Sequence, residues 1–257
     1  MRGKIIPQFI CRSDNFGILI HDGQSGQTLA VDAPDAGAIE AELEAHGWRL
    51  TDILLTHHHE DHVAGVETLR QRHGAHVTGH GADAHRLPRL DAAIMPGEDL
   101  RILGEVAEVI ATPGHTSGQL AYFFPGLMVL FAGDCLFSLG CGRLFEGTPA
   151  QMWPALDRLR RLPAQTRLYC GHEYTQANAR FALSVEPGNA ALVQRAQQVD
   201  ALRQHGKPTL PSLLGDECAT NPFLRPESPE IRAHFNLADA SNMEVFAALR
   251  AAKDQFR

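Results

Sequence analysis

The segment Thr56-His-His-His-Glu-Asp-His62 places four histidines and two carboxylates within seven residues. The apolar run Asp52-Ile-Leu-Leu55 directly precedes it and is predicted to be a short buried strand. Side chains that follow a strand are held by a rigid scaffold, which a metal site requires. Imidazole nitrogen and carboxylate oxygen are ligands of Zn, Fe and Mn. The segment therefore predicts a metal site at one edge of a sheet.

Further candidate ligands also follow predicted strands. Val109-Ile-Ala-Thr-Pro-Gly leads into His115, Met128-Val-Leu-Phe-Ala-Gly into Asp134, and Arg167-Leu-Tyr-Cys-Gly into His172. The full candidate set is His57, His59, Asp61, His62, His115, Asp134 and His172. Five imidazoles and two carboxylates can hold two metal ions, with one carboxylate bridging and positions left for water. Open positions are typical of a catalytic site, where bound water ionises near neutral pH and becomes a nucleophile.

The same residues also admit simpler interpretations. Three adjacent histidines could form a solvated loop, but the Asp61-His62 continuation and the glycine before His115 favour ligation. His58 is expected to face away from its neighbours if the loop is extended there, and either to support a ligand or to have a structural role. Cys135, next to Asp134, is expected to be a small buried residue and not a ligand.

Bulk properties exclude several classes of protein. The chain has 257 residues, enough for one large domain or one domain plus a smaller one. The formal net charge of −7 disfavours a general nucleic-acid binder. Five cysteines without a C-x-x-C pair predict reduced thiols and a cytoplasmic location. The N-terminus lacks a signal-peptide core, and the longest apolar runs fall short of a membrane span.

Apolar runs and turn residues predict alternating strands and helices over the first two thirds of the chain. The predicted strands are 18–20, 28–31, 52–55, 106–111, 120–124, 127–131 and 167–170. The predicted helices are 36–46, 63–73 and 149–162, the first of them ended by Gly47. This order predicts a catalytic α/β domain over residues 1–173.

The composition changes after Tyr174. An amphipathic helix is predicted over 190–205, and 207–230 is predicted to be an extended connector because it is rich in proline and polar residues. The capping box Ser241-x-x-Glu244 opens a last helix that runs through Lys253. Residues 174–257 are therefore predicted to form a smaller helical domain, to which the family resemblance described below assigns substrate binding.

The 56–62 string, with His115, Asp134 and His172 downstream, resembles the metallo-β-lactamase superfamily. The resemblance implies an αββα sandwich with a dinuclear metal site at one edge. Within the superfamily the chain resembles the glyoxalase II (hydroxyacylglutathione hydrolase) family over essentially its whole length, including the C-terminal α-helical domain. The strings that carry this resemblance are Gly133-Asp-Cys-Leu-Phe137, Cys141-Gly-Arg-Leu-Phe-Glu-Gly147, Gly171-His-Glu-Tyr-Thr175, Asn221-Pro-Phe-Leu-Arg225 and Arg250-Ala-Ala-Lys253-Asp-Gln-Phe256.

The resemblance also implies roles for particular residues. His57, His59 and His115 would bind one metal, Asp61, His62 and His172 the other, and Asp134 would bridge. Asp134 and Asp61 would act around a metal-bound hydroxide. The cofactors would be two divalent ions per chain, Zn foremost, with Fe or Mn as alternatives. The implied reaction converts S-D-lactoylglutathione, and related 2-hydroxyacyl thioesters, to D-lactate and glutathione, the second step of methylglyoxal detoxification.

The same resemblance implies that Arg143, Tyr174, Arg250 and Lys253 contact glutathione. Glutathione carries two carboxylates, which Arg and Lys can hold. Arg250 and Lys253 lie three residues apart and share a helix face, although a solvated basic helix end would look the same. The family pattern has Lys at position 143 and Tyr at 145, where this chain has Arg143 and Phe145. Charge is kept and a hydroxyl is lost, which predicts a changed affinity for glutathione.

The same scaffold is compatible with other functions, which predict different sequence features. A persulfide dioxygenase would use one Fe, whereas the sequence offers two ligand sets. A lactonase or β-lactamase does not require the Arg250/Lys253 pair, and a nuclease predicts basic surfaces. A metal-storage protein would saturate its sites with protein ligands. The predicted partner is a small-molecule glutathione thioester, bound by a monomer without nucleic acid or membrane.

Overall fold

The computed structural model describes residues 3–256 and divides the chain into two compact units. The first unit runs to Ala111 and resumes over Gly118–Gly133. The second unit takes Thr112–Ser117 and everything from Asp134 onward. Two of the candidate ligands lie next to these boundaries. His115 belongs to the second unit because it lies in the short segment Thr112–Ser117, and Asp134 is the residue at which the chain enters the second unit for the last time.

In the described residues of the first unit, seven strands form one sheet. They are β1 (Lys4–Ile5), β2 (Gln8–Cys11), β3 (Asn15–Asp22), β4 (Thr28–Val31), β5 (Asp52–Leu54), β6 (His76–His80) and β7 (Ala92–Ile94). Their order is β1-β3-β4-β5-β6-β7, with β2 also paired to β3. Strands β4 to β7 are parallel, so their carboxyl ends share one edge. Every residue of β3 and β4 is buried, as expected of strands covered on both faces.

Helices α1 (Ala36–His46), α2 (Glu60–Val63) and α3 (Val66–His73) belong to the same unit. The predicted bounds of α1 are confirmed: Asp35 caps its first turn, and Gly47 ends it in the left-handed conformation at φ 68°. The predicted helix over 63–73 is interrupted at Gly65. A Cβ there would lie 2.8 Å from the backbone nitrogen of Ala36, so only glycine permits this close approach to α1.

Strands β8 (Asp99–Ile102), β9 (Glu105–Ala111), β10 (Leu120–Phe124) and β11 (Val129–Phe131) form an antiparallel meander. Hydrogen bonds join this meander to Leu55 and Thr56, which directly precede the histidine cluster of residues 57–62. The Tyr122 hydroxyl donates to the Leu55 carbonyl at 2.6 Å, and the Leu120 amide donates to the Thr56 carbonyl at 2.9 Å. These bonds fix the backbone from which the histidine cluster projects.

The second unit contains short strand pairs and most of the helices. The strands are β12 (Leu136–Phe137), β13 (Gly140–Cys141), β14 (Arg167–Tyr169) and β15 (Ser212–Leu213), paired β12 with β13 and β14 with β15. The helices are α4 (Pro149–Leu159), α5 (Thr175–Val185), α6 (Ala190–Gln204), α7 (Leu214–Thr220), α8 (Pro229–Phe235) and α9 (Asn242–Gln255). The predicted capping box of Ser241 and Glu244 opens α9.

The extended connector predicted over 207–230 is wrong. That stretch contains β15, α7 and a 3-10 turn at Pro222–Leu224. The reason is the buried carboxylate of Glu217, which accepts hydrogen bonds from the Leu139 amide at 2.8 Å and the Ser212 hydroxyl at 2.6 Å and pairs with Arg195. Leu139 and Arg195 lie 78 and 22 residues away in sequence, so local composition gives no sign of these two partners.

No helix among residues 3–256 combines the length and the apolar character that crossing a membrane demands.

Candidate metal centre

In the first unit, Asp32 organises the histidine cluster. It follows β4 in a left-handed conformation, φ 58°, which Asp adopts more readily than most residues. Its Oδ1 accepts from the Thr56 amide at 2.8 Å, and its Oδ2 accepts from the Thr56 hydroxyl at 2.7 Å. The same Oδ2 lies 2.8 Å from Nδ1 of His62. Asp32 thus fixes both the start and the end of the cluster.

His57 and His59 present ring nitrogens to a common point. The Thr56 hydroxyl gives its proton to Asp32, so it accepts from Nδ1 of His57, 3.0 Å away. Nε2 of His57 then carries the lone pair, and it lies 3.1 Å from Nδ1 of His59. His57 is 1% exposed. Two imidazole nitrogens this close are well placed to share one cation.

Asp61 and His62 form a second pair at the start of α2. Because Asp32 accepts the Nδ1 proton of His62, the lone pair of the His62 ring is on Nε2. This Nε2 lies 3.9 Å from Oδ2 of Asp61. The side-chain amide of Asn15 donates to this Oδ2 at 3.0 Å and to the Asp61 carbonyl at 3.1 Å. Asn15 therefore orients the Asp61 carboxylate. Asp32, His57 and His62 also gather within 4.8 Å, but the hydrogen bonds of Asp32 make it an orienting group.

In the second unit, Asp134 lies between two histidines. Its Oδ2 is 3.4 Å from Nε2 of His115 and 3.3 Å from Nε2 of His172. Nδ1 of His115 donates to the Arg143 carbonyl at 3.0 Å, which fixes the tautomer. The His172 ring stacks on Tyr174, with centroids 4.6 Å apart. One carboxylate oxygen of Asp134 therefore lies within 3.4 Å of two imidazole nitrogens.

The donor set fits divalent metals. His57, His62 and His115 each direct Nδ1 to an oxygen of the protein, the arrangement that orients metal-binding imidazoles. The neighbouring thiols do not compete. Burial raises the pKa of Cys135 and Cys170 well above the usual range, so both stay protonated at neutral pH. Cys135 is the small buried residue that the sequence predicts.

The His58 ring packs edge-on against that of His59, with the centroids 5.0 Å apart, and His58 also faces a buried carboxylate. Its Nδ1 is 3.3 Å from Oδ2 of the buried Asp83. This contact fits the structural role predicted from the alternation of side chains along the loop.

The residues predicted to contact glutathione all lie in the second unit, with different exposure. Arg143 and Tyr174 are exposed and Lys253 is half-buried, whereas Arg250 is only 4% exposed. Burial, and then the charges of Arg250, Arg180 and Arg143, lower the pKa of Lys253 to about 8. Its Nζ donates to the Ala177 carbonyl at 3.3 Å. The cluster of cations is suited to an anionic ligand.

Phe145, which stands where the family pattern has Tyr, is 62% exposed. Its ring centroid lies 5.1 Å from that of His115. An aromatic surface therefore flanks this candidate ligand without a hydroxyl group.

Sequence reasoning missed Asp32 and Asn15. Asp32 follows the apolar run of β4 just as the candidate ligands follow their strands, so the same pattern could have identified it. Asn15 gives no such signal because it begins β3, and its partner Asp61 is 46 residues away.

Substitution of Asp32 by Ala is expected to weaken metal binding about 10- to 100-fold, the usual effect of removing a carboxylate that orients a histidine ligand. Competition with a chromophoric chelator measures this affinity directly. Asp35→Ala is the matched control, since Asp35 lies in the same loop but caps α1 and is expected to affect only stability. Wild-type metal affinity in Asp32→Ala would contradict the orienting role.

Two family models match the chain. Residues 25–172 match the metallo-beta-lactamase superfamily, and residues 173–256 match the hydroxyacylglutathione hydrolase C-terminus. The hydroxyacylglutathione hydrolase of Methylococcus capsulatus is 53% identical over 252 residues, which cover 98% of each chain. That of Cereibacter sphaeroides is 53% identical over 246 residues, which cover 96% of each chain.

Solved structures show the same architecture. ETHE1 from Myxococcus xanthus superposes with a TM-score of 0.66 at 25% identity, covering 98% of this chain and 100% of that chain. The BLEG-1 B3 metallo-beta-lactamase has a TM-score of 0.66 at 21% identity, covering 86% and 99%. The two family models and these structural similarities together confirm the predicted α/β fold class, a metallo-β-lactamase fold with a helical C-terminal region.

Proposed function

The chain belongs to the hydroxyacylglutathione hydrolase family of the metallo-β-lactamase superfamily, and we propose that it hydrolyses S-D-lactoylglutathione and related 2-hydroxyacylglutathiones. The products are the 2-hydroxy acid, D-lactate for the first substrate, and glutathione. The observation that carries the proposal is the grouping of metal-binding side chains, His57 with His59 in the first unit and Asp134 with His115 and His172 in the second. A cluster of cations in the second unit accompanies it.

The metal assignment is part of the proposal. His57, His59 and His115 would hold one ion, Asp61, His62 and His172 would hold the other, and Asp134 would be shared by both. The position of Asp134 Oδ2 between His115 and His172 supports the bridging role. Mixed nitrogen and oxygen donors favour Zn, with Fe or Mn as alternatives.

Two divalent ions bound there would supply a water of lowered pKa and would polarise the thioester carbonyl. The protein holds the ligands in place beforehand. Asp32 fixes the tautomer of His62, the Arg143 carbonyl fixes that of His115, and Asn15 sets the Asp61 carboxylate. Water adds to the carbonyl carbon, the carbon–sulfur bond breaks, and the thiolate leaves to be protonated as glutathione. Neither Ser nor Cys is required as a nucleophile.

Recognition of the glutathione part is assigned to the helical region 174–257 together with Arg143. Arg143 and Tyr174 are exposed, and Lys253 is surrounded by further cations, which suits the two carboxylates of the peptide. The two family models meet between residues 172 and 173, which supports a catalytic domain over 1–173 and a substrate-binding domain over 174–257.

Comparison of two thioesters tests the substrate class. Purified metal-loaded protein is given S-D-lactoylglutathione or the D-lactoyl thioester of N-acetylcysteamine, and the released thiol is measured with a chromogenic disulfide. Turnover that is stopped by a chelator and is much faster with the glutathione thioester is expected. Equal rates for the two substrates would contradict the proposed recognition of glutathione. Absence of turnover with both substrates would contradict the proposed thioester hydrolysis.

The KM for the glutathione thioester is expected to rise, by up to about tenfold, between pH 7 and pH 9. The pKa of Lys253 is lowered to about 8, so its charge is present below that pH and is lost as the pH rises through it. Lys253→Arg keeps the charge over the whole range and should flatten the profile. Steady-state kinetics of both proteins measure this, and an identical rise in Lys253→Arg would contradict the assignment.

The cellular setting is also a proposal. All five cysteines carry free thiols, four of them buried, which supports a reducing compartment such as the cytoplasm. The monomeric state stays a prediction that sedimentation velocity can check.

A further inference from the structure

Glu173 follows the candidate ligand His172 directly and turns its carboxylate into the protein. Its side chain is only 4% exposed, although the next residue, Tyr174, is exposed. Oε2 of Glu173 accepts from the Thr209 amide and Oε1 from the Thr209 hydroxyl, both at 2.7 Å. Nη1 of Arg203 lies 3.7 Å from Oε2. A single residue thus holds both carboxylate oxygens through two charge-assisted hydrogen bonds.

Thr209 belongs to a segment that runs beside the strand leading to His172. Strand β15 pairs antiparallel with β14, and the contact between Glu173 and Thr209 joins the same two stretches again beyond the end of this pairing. The Thr209 hydroxyl gives its proton to Glu173, so it accepts from the Thr175 hydroxyl, 2.6 Å away. The chain from β14 to the first residue of α5 is therefore fastened to one segment on both sides of His172.

The backbone that Glu173 fixes carries two rings in contact. The rings of His172 and Tyr174 stack, with centroids 4.6 Å and planes 4° apart. Both also pack edge-on against Phe137, whose centroid lies 6.1 Å from that of His172 and 5.3 Å from that of Tyr174. A parallel stack of two rings requires a fixed backbone at the residue between them. Rotation there would separate the rings and turn Nε2 of His172 away from Oδ2 of Asp134, which lies 3.3 Å from it.

We propose that Glu173 is a positioning residue, which Thr209 clamps so that the His172 imidazole faces the metal centre and the Tyr174 ring stays stacked on it. This inference rests on the proposed function for the assignment of His172 as a metal ligand. Thr209 uses both oxygens of the Glu173 carboxylate, so Glu173 acts through His172 and is not itself a ligand.

The clamp predicts a graded series of defects. Glu173→Gln keeps one acceptor oxygen but sets an amide NH₂ against a donor of Thr209, and it is expected to weaken Zn²⁺ binding about tenfold, the lower end of the range for groups that support a ligand. Thr209→Val removes the hydroxyl and leaves the amide, so a smaller loss of about threefold is expected. Thr209→Ser keeps both donors and should match the wild type.

The test measures Zn²⁺ affinity by chelator competition and the visible absorption spectrum of the Co²⁺-loaded protein, neither of which needs substrate. Glu186→Gln is the matched control. Glu186 is a buried glutamate at the other end of α5, and its carboxylate accepts from Arg225 at 2.9 Å and from Asn189 at 3.0 Å. Weaker Zn²⁺ binding and an altered Co²⁺ spectrum in Glu173→Gln, with wild-type values in Glu186→Gln and Thr209→Ser, are expected.

Wild-type Zn²⁺ affinity and Co²⁺ spectrum in Glu173→Gln would overturn the inference. A lower midpoint of chemical denaturation alongside them would show that the clamp only stabilises the fold. If Glu173→Gln does not fold, Thr209→Val decides: an altered Co²⁺ spectrum supports the positioning role and an unchanged one overturns it. Failure of the proposed function is seen separately, as absence of thioester turnover by the wild-type protein.

Discussion

Asp134→Asn is expected to eliminate stable binding of both metal ions and to lower kcat/KM by about 10³-fold or more. Oδ2 of Asp134 lies within 3.4 Å of Nε2 of both His115 and His172, so one substitution affects both proposed ligand sets. A neutral amide is a poor ligand for two cations. Elemental analysis and S-D-lactoylglutathione turnover measure the two effects on the same sample.

The control is Asp83→Asn. Asp83 is also a buried carboxylate beside a histidine, 3.3 Å from Nδ1 of His58, but it belongs to neither proposed ligand set. Its substitution is expected to leave the metal content unchanged. Two metals per chain and normal turnover in Asp134→Asn would refute the bridging assignment.

Gly142→Ala is expected to lower the free energy of unfolding by about 3 kcal/mol or more, at or beyond the upper range for overpacking. The added Cβ would meet the Asp134 carbonyl oxygen at 2.0 Å and Cβ of His115 at 3.2 Å. Both neighbours are fixed, because one is backbone and the other belongs to a hydrogen-bonded ligand. Relief of the clash must displace Asp134, so metal affinity should fall as well.

Chemical denaturation of the metal-free protein separates the stability effect from the metal effect. Gly23→Ala is the matched control, because a Cβ there meets only the Gly3 carbonyl oxygen at 3.5 Å, an ordinary contact. The stability of Gly23→Ala should be close to that of the wild type. Equal stability of Gly142→Ala and the wild type would show that the loop can move without cost.

Elements with strong local signals could be predicted from the sequence. The bounds of α1 follow from Asp35 and Gly47, and the start of α9 from the capping box at Ser241. By contrast, the structure of 207–230 depends on Glu217, whose partners Leu139 and Arg195 lie 78 and 22 residues away. A polar, proline-containing stretch can be an exposed connector or a folded segment built on buried carboxylates, and composition alone does not separate them.

In the candidate site, too, some features follow from local sequence and others depend on contacts between distant residues. The residue types and their positions after strands indicated His115, Asp134 and His172 without any tertiary information. The spacing of Arg250 and Lys253 placed them on one face of α9 but gave no sign that Arg250 is buried, since a solvated helix end has the same pattern. Burial depends on Phe223 and on the backbone at Cys141, 109 residues away.

Metal reconstitution tests the central claim most directly. Metal-free protein is titrated with Zn²⁺, and S-D-lactoylglutathione turnover is measured against bound metal per chain in each sample. We predict that activity reaches its plateau at two ions per chain and that Asp134→Asn gains neither metal nor activity. Full activity at one ion, or no turnover with two ions bound, would contradict the dinuclear thioester hydrolase proposed for this chain.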